Sequence, residues 1–187
     1  LDAAARFGER VAIFGQGVVG LLVTQLVKRA GASKVLAIEP LAARRALAQR
    51  CGADAAIAPS EARGLEVDVA IEVSGNGAAL QAALDSLVFG GTVVVCSWYG
   101  AKPVSLDLGG RFHRNRPRVV SSQVSTIDGA LQPRWTQARR LALARDLLPE
   151  LELEPLISHR FPVERASEAY ALVDQHPDET TQVVLTY

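Results

Sequence analysis

Val11-Ala-Ile-Phe-Gly-Gln-Gly-Val-Val-Gly20 decides the fold. Val11 to Phe14 is a short apolar run without polar alternation, the pattern of a strand buried on both faces of a parallel sheet. Val18 to Ala30 then carries Leu22, Leu26 and Val27 at helical spacing, with Lys28 and Arg29 near its end and Gly31 as a stop. Between strand and helix stands Gly15-Gln16-Gly17-Val18-Val19-Gly20, a G-x-G-x-x-G. Glycine triplets arise by chance, but a strand before and a helix after supply the context the mechanism needs. Gly15 permits the tight turn. Gly17 omits a Cβ, so a diphosphate can approach the backbone, and Gly20 lets helix and strand pack closely. The helix N-terminus offers free N–H groups and partial positive charge to phosphates. A tight turn without a ligand is the plain alternative. An S-adenosylmethionine site is another, but such sites generally carry an acid just before the glycines, where this chain has Ile13-Phe14.

Working outward, Lys34 to Ile38 reads as a second strand, and Glu39 ends it nineteen residues after Gly20. An acid about 20 residues past the glycines accepts hydrogen bonds from the adenosine ribose. A carboxylate there repels a 2′-phosphate, which favours NAD over NADP. Arg44 and Arg45 pull the other way: one of them could stack on adenine or neutralise a phosphate, or both could be exposed helix arginines. Leu41 to Arg50 reads as a helix stopped by Gly52, Ala55 to Ile57 as a third strand and Val67 to Val73 as a fourth. Ala78 to Leu87 reads as a helix and Thr92 to Cys96 as a β-branched fifth strand. This alternation predicts an α/β fold: a doubly wound parallel sheet of Rossmann type in three αβα layers. Tyr99 to Pro117 is expected to be a loop with the basic run Arg111 to Arg118, and Val119-Val120 to open a sixth strand. Trp135 to Leu148 reads as a helix ended by Pro149. In the tail, Ile157 to Phe161 reads as extended, Val163 to Asp174 as helical and Val183 to Tyr187 as extended. No repeat or flexible linker divides residues 1–187.

Composition bounds the function. A chain of 187 residues, 49% hydrophobic and 21% charged, can bury about 70% of its unfolded surface without disulfide or metal. Twenty basic and 20 acidic residues sum to zero, which gives no global electrostatic case for nucleic acid. The basic run lacks aromatic interleaving beyond Phe112, so a subunit-facing or cofactor-facing loop is the better reading. Cys51 and Cys96 stand alone, which excludes a structural zinc site on spacing and fits a reducing, cytoplasmic setting. His113, His159 and His176 are isolated and read as solvated or locally bonded. Glu150, Glu152 and Glu154 alternate with leucine and read as a solvated face. The most apolar stretch, Val11 to Val27, holds Gln16, Thr24, Gln25 and three glycines, and is a poor membrane span. No signal peptide is visible. The chain begins at Leu1 and has no Met, which suggests part of a longer protein.

Several stretches resemble the medium-chain dehydrogenase/reductase family, which includes zinc-type alcohol, sorbitol and threonine dehydrogenases. They are Glu9 to Gly20, Lys34 to Pro40, Cys51-Gly-Ala-Asp54, Glu72-Val-Ser-Gly75, Gly90 to Val95 and Ile157 to Tyr170. Phe112 to Arg116, Ser121 to Val124 and Pro133-Arg-Trp135 are similar to a subgroup near bacteriochlorophyllide dehydrogenase. The resemblance implies the nucleotide-binding domain of an oxidoreductase passing hydride between an alcohol or polyol and NAD(H). Gly15, Gly17, Val18, Val19 and Gly20 would face the diphosphate, Glu39 would hold the ribose and Arg44 would lie near adenine. Ser74 and Gly75 would follow the fourth strand beside the cofactor. Cys96 and Ser97 would lie near the nicotinamide, with Cys96 either a reactive thiol or, after Val93 to Val95, a buried inert one. Gln182 stands where several relatives carry a basic residue near the phosphates. Relatives place a GroES-like catalytic domain, with the zinc ligands and most of the substrate pocket, before this one. The resemblance therefore implies a cut near a domain boundary, no catalytic or metal-ligating residue in this chain, and little activity for it alone. The sixth strand, near Val119 to Ser121, would pair across a two-fold axis in a homodimer. The same domain would also serve a zinc-independent quinone or enone reductase, or a non-catalytic NAD-sensing module.

Overall fold

In the computed structural model, which describes residues 1–187, the deciding stretch becomes β1 (Arg10–Phe14) and α1 (Val18–Arg29). There follow β2 (Lys34–Ile38), α2 (Ala42–Arg50), β3 (Ala55–Ile57), β4 (Val67–Glu72), α3 (Gly77–Asp85) and β5 (Leu87–Val95). The chain continues through α4 (Gly110–Asn115), β6 (Arg118–Ser121), α5 (Gln137–Leu147), β7 (Ile157–Pro162), α6 (Ala166–Gln175) and β8 (Gln182–Thr186). The first six strands form one sheet in the order β3-β2-β1-β4-β5-β6, every pair parallel. Strand order therefore reverses between β1 and β4, and ligands of such sheets bind at the carboxyl ends of strands at that reversal.

The pleat divides the core into two layers. Ala12 and Phe14 of β1, with Leu36 and Ile38 of β2, pack beneath Leu80, Ala83 and Leu84 of α3. Val11 and Ile13 join Val35, Val69 and Val27 of α1 on the other face. Helices cover both faces, as the apolar strands predict. Burying each large side chain here contributes about 1.5–3 kcal/mol.

Three features differ from the sequence reading. The expected loop Tyr99 to Pro117 contains α4, because Phe112 packs on the α3 layer and Asn115 Nδ2 donates to the Leu87 carbonyl at 3.2 Å. Arg116, at φ +48, and Pro117 end it. Strand β5 starts at Leu87, not Thr92, and α3 ends two residues earlier, at Asp85. The register against β4 slips between Val67 and Val69, so Gly90-Gly91 lies inside the strand at a bulge. In the tail, β7 and β8 leave the main sheet and pair with each other in parallel, joined by α6.

The tail is held against α1 and α2. Leu156 is buried among Leu21, Ala37, Ala48 and Cys51. Gln25 of α1 reads the backbone of Glu152 twice, accepting from its N–H at 2.8 Å and donating to its carbonyl at 3.2 Å. Arg44 Nη2 of α2 donates to the carbonyls of Pro177 and Thr180 at 2.6 and 2.5 Å. Arg44→Ala should therefore speed hydrogen exchange at Thr180 to Thr186 while leaving β1 amides protected.

Asp54 ties α1 to β2 and the turn before β3. It accepts from Lys28 Nζ at 2.6 Å and from the Val35 N–H at 2.7 Å. The Lys28 hydrogen bond, then the Val35 one, holds its carboxyl below the usual 3.8. A depressed folded pKa stabilises the fold above the unfolded value and loses that contribution as pH falls through the folded one. Denaturant titrations should show Asp54→Asn less stable than the parent at neutral pH, with the gap closing below about pH 4. No helix is long and apolar enough to cross a membrane.

Candidate functional site

A cavity of about 750 Å³ opens at the carboxyl ends of β1, β2 and β4, where the strand order reverses. Its size falls within the range of small-molecule and cofactor sites. Gly15 and Gly17 form one wall, Glu39, Pro40 and Arg44 a second, and Ser74 with the first turns of α3 a third.

The glycines have distinct jobs. Gly15 takes φ +101, and a Cβ there would lie 2.9 Å from that of Ser74. A Cβ on Gly20 would lie 2.0 Å from the Gly15 carbonyl oxygen, so the helix seats directly on the turn. Gly17 is different: a Cβ there meets nothing within 4 Å. Its space faces a helix start that has neither a capping side chain nor an acid in its first turn. The first N–H groups of a helix have no intrahelical partners, so this terminus is suited to an anion. Val18, Val19 and Gly20 stand in that turn, outside the cavity wall. Gln16, between the first two glycines, turns inward and accepts from Thr24 Oγ1 at 3.0 Å.

Glu39 is buried, and each carboxylate oxygen takes one backbone donor: Gln16 N–H at 2.8 Å and Leu41 N–H at 3.0 Å. A carboxylate can accept about four bonds, so capacity remains for two adjacent hydroxyls. Arg44 reaches the cavity but is anchored on the tail carbonyls, and its buried Nε has no protein partner. Arg45 instead closes its own turn, donating to the Glu39 and Pro40 carbonyls at 2.9 and 2.6 Å.

Ser74, Gly75 and Ser97 come together. Ser97 Oγ accepts from the Gly75 N–H at 2.8 Å. Cys96 goes the other way, packing on the Val11–Ile13 face. Burial pushes its thiol up, against a lowering hydrogen bond with Ser122, which favours the inert reading over the reactive one. Both cysteines are unbridged.

Sequence reasoning missed Glu72 and Tyr99. Glu72 ends β4 with its side chain fully buried. Its Oε1 accepts from Ser74 N–H, Ser74 Oγ and Gly75 N–H at 2.6, 2.7 and 2.9 Å. Its Oε2 accepts from the Tyr99 hydroxyl at 2.7 Å. Burial, then the Glu72 hydrogen bond and charge, pushes the Tyr99 phenol far above its usual value. The available signal was an acid closing the apolar run Val69 to Ile71. Asn76 was missed too: its Oδ1 caps α3 at the Ala78 N–H, 2.8 Å away, while the residue lines the cavity.

His113 is exposed, and His176 Nδ1 lies 3.6 Å from Glu179. His159 departs from a solvated reading: its Nδ1 is buried without a partner, and the ring stacks on Phe161 with centroids 6.4 Å apart. No three His, Cys, Asp or Glu side chains gather as a metal-ligand set, so no chemistry through zinc is derived from these residues. Glu150 and Glu154 pair with Arg29 and Arg160 on the surface.

Comparison with known proteins places this geometry. A family model described as zinc-binding dehydrogenase matches residues 18–144. The chain belongs to that family. D-guloside 3-dehydrogenase of Escherichia coli K12 is 35% identical to this chain, over 100% of it and 57% of the relative. The crystal structure of L-idonate 5-dehydrogenase from Escherichia coli superposes with a TM-score of 0.82 at 21% identity, covering 100% of this chain and 52% of the other. A zinc-binding dehydrogenase from Sinorhizobium meliloti 1021, solved bound to NADP, gives 0.77 at 27% identity, covering 99% and 54%. The chain thus spans about half the length of the curated relatives it matches.

Proposed function

We propose that these residues are the nicotinamide-nucleotide domain of a dehydrogenase that oxidises a secondary alcohol or polyol. The carrying observation is the cavity itself: open space at Gly17 beside an uncapped helix start, with the Glu39 carboxylate on the facing wall. Both relatives above whose substrates are named act, by those names, at carbon 3 or 5 of a polyhydroxy compound. When bound, the nicotinamide accepts or returns the hydride, and the protein supplies binding and orientation. The N–H groups of the first turn of α1 hold the diphosphate. Glu39 accepts from the adenosine ribose hydroxyls, and Arg44 lies over the adenosine end. The Ser74–Gly75 turn and Ser97 stand toward the nicotinamide.

Glu39 makes NAD(H) the preferred partner, because its charge would face a 2′-phosphate. Calorimetric titration should show NADH bound at least about tenfold more tightly than NADPH, a difference of about 1.4 kcal/mol. Glu39→Gln keeps an acceptor for the Gln16 N–H but removes the charge, and should erase most of that preference. Equal preference in both proteins would sink the assignment to Glu39. The substrate pocket and any zinc ligands fall to a GroES-like domain preceding Leu1. Alcohol-dependent NADH formation by the whole polypeptide, lost on chelation, would support that; enone reduction that survives chelation would favour the zinc-independent reading.

The edge strand β6 leaves its outer N–H and C=O row open, with Val119 exposed. Pairing of two such edges covers those groups, which supports a homodimer. Sedimentation showing only monomer at high concentration would remove it. The unbridged thiols support a reducing, cytoplasmic compartment.

A further inference from the structure

The segment after β5 is strapped down at three points, one at the end of β4 and two on α3. Tyr99 donates to Glu72. Val104 lies where a Cβ on Gly77 would be 3.0 Å from its Cγ1. Gln81 brackets Asp107, accepting from its N–H at 2.7 Å and donating to its carbonyl at 3.5 Å. The cavity wall beneath the strap comprises Ser74, Asn76, Ala78 and Ala79. Glu72 therefore sits between strap and wall. It is a fully buried carboxylate with no cation beside it, satisfied by three donors from the turn and one from the strap.

We propose that Tyr99, acting through Glu72, is a positioning residue of the nucleotide cavity: it fixes the carboxylate that holds the Ser74–Gly75 turn. The inference rests on the nucleotide-binding reading above. Oε1 carries all three turn donors, and the Tyr99 hydroxyl is the one donor at Oε2. Removing that bond leaves a buried oxygen unsatisfied, which a buried acceptor does not tolerate without rearranging. The rearrangement moves Oε1 and, with it, the N–H groups of Ser74 and Gly75. Gly75 is the meeting point, since its N–H is shared between Glu72 Oε1 and Ser97 Oγ. The phenol stays protonated across the working pH range, so it remains a donor throughout.

Two measurements on the parent and Tyr99→Phe decide it, both well below the melting temperature. The first is hydrogen exchange at the Ser74 and Gly75 amides without nucleotide. The second is the Kd for NADH by fluorescence titration. Tyr99→Phe is expected to speed exchange at both amides and raise Kd about tenfold. Unchanged amide exchange in Tyr99→Phe overturns the inference whatever happens to binding. Faster exchange with an unaltered Kd overturns it as well, since a purely structural contact behaves that way. If the parent binds no NADH, the nucleotide reading falls and this inference with it.

Discussion

Gly20→Ala is expected to cost at least about 3 kcal/mol and lower the melting temperature by about 6–12 °C. The added methyl would sit 2.0 Å from the Gly15 carbonyl oxygen and 3.2 Å from Val73 Cγ2. Neither neighbour is a flexible side-chain end. The oxygen belongs to a turn held by φ +101 at Gly15 and by the Gly15 N–H bond to the Ile38 carbonyl at 2.9 Å. Relief requires lifting α1 from β1, which opens contacts among Leu21, Val27, Val11 and Ile13 in two clusters. With total stability of about 5–15 kcal/mol for a domain, that is a large share. Thermal and denaturant melts of the variant check it; a midpoint within a degree or two of the parent would show that α1 does not depend on this approach.

Gly17→Val gives the opposite pattern. The backbone there is extended, at φ −70 and ψ −174, and the methyls enter open space. Replacing glycine by a β-branched residue at the helix cap costs about 1 kcal/mol, so the melting temperature should move by only about 2–4 °C. The same methyls occupy the ground where a diphosphate meets the N–H groups, and NADH affinity should fall at least about a hundredfold, or 2.7 kcal/mol. The pair separates two meanings of one motif. Gly20 has no room for a Cβ and Gly17 faces open space, the division of roles that the motif's spacing predicts.

Elements with local signals were legible in the residues. β2 and β3 take the bounds that their apolar runs predict, and α1 ends one residue before its expected limit. The turn, the place of Glu39 at the end of β2 and the parallel, doubly wound character of the sheet follow from spacing, while the strand order comes from the structure. What escaped is set by distant partners. α4 forms because Phe112 finds the sheet and Asn115 finds Leu87, 28 residues earlier in the chain. β5 extends past Gly90-Gly91 because β4 accepts a slipped register. The separate β7–β8 sheet depends on Leu156, Gln25 and Arg44 seating the tail on α1 and α2. Within the site, the structure brings Ser97 onto the Ser74–Gly75 turn, while Cys96 turns to the opposite face because side chains alternate along an extended chain. Glu72 was hidden because its role lies with Tyr99, 27 positions on, and no periodicity announces such a pair.

The cavity between Gly17 and Glu39 is proposed to bind a nicotinamide dinucleotide without a 2′-phosphate. Calorimetric titration of the 187-residue chain with NADH and NADPH, alongside Gly17→Val, tests it most directly. Saturable NADH binding, weaker NADPH binding and loss of both in a Gly17→Val protein that still melts near the parent temperature are the predicted results. No NADH binding by the parent, or equal binding by Gly17→Val, would contradict it.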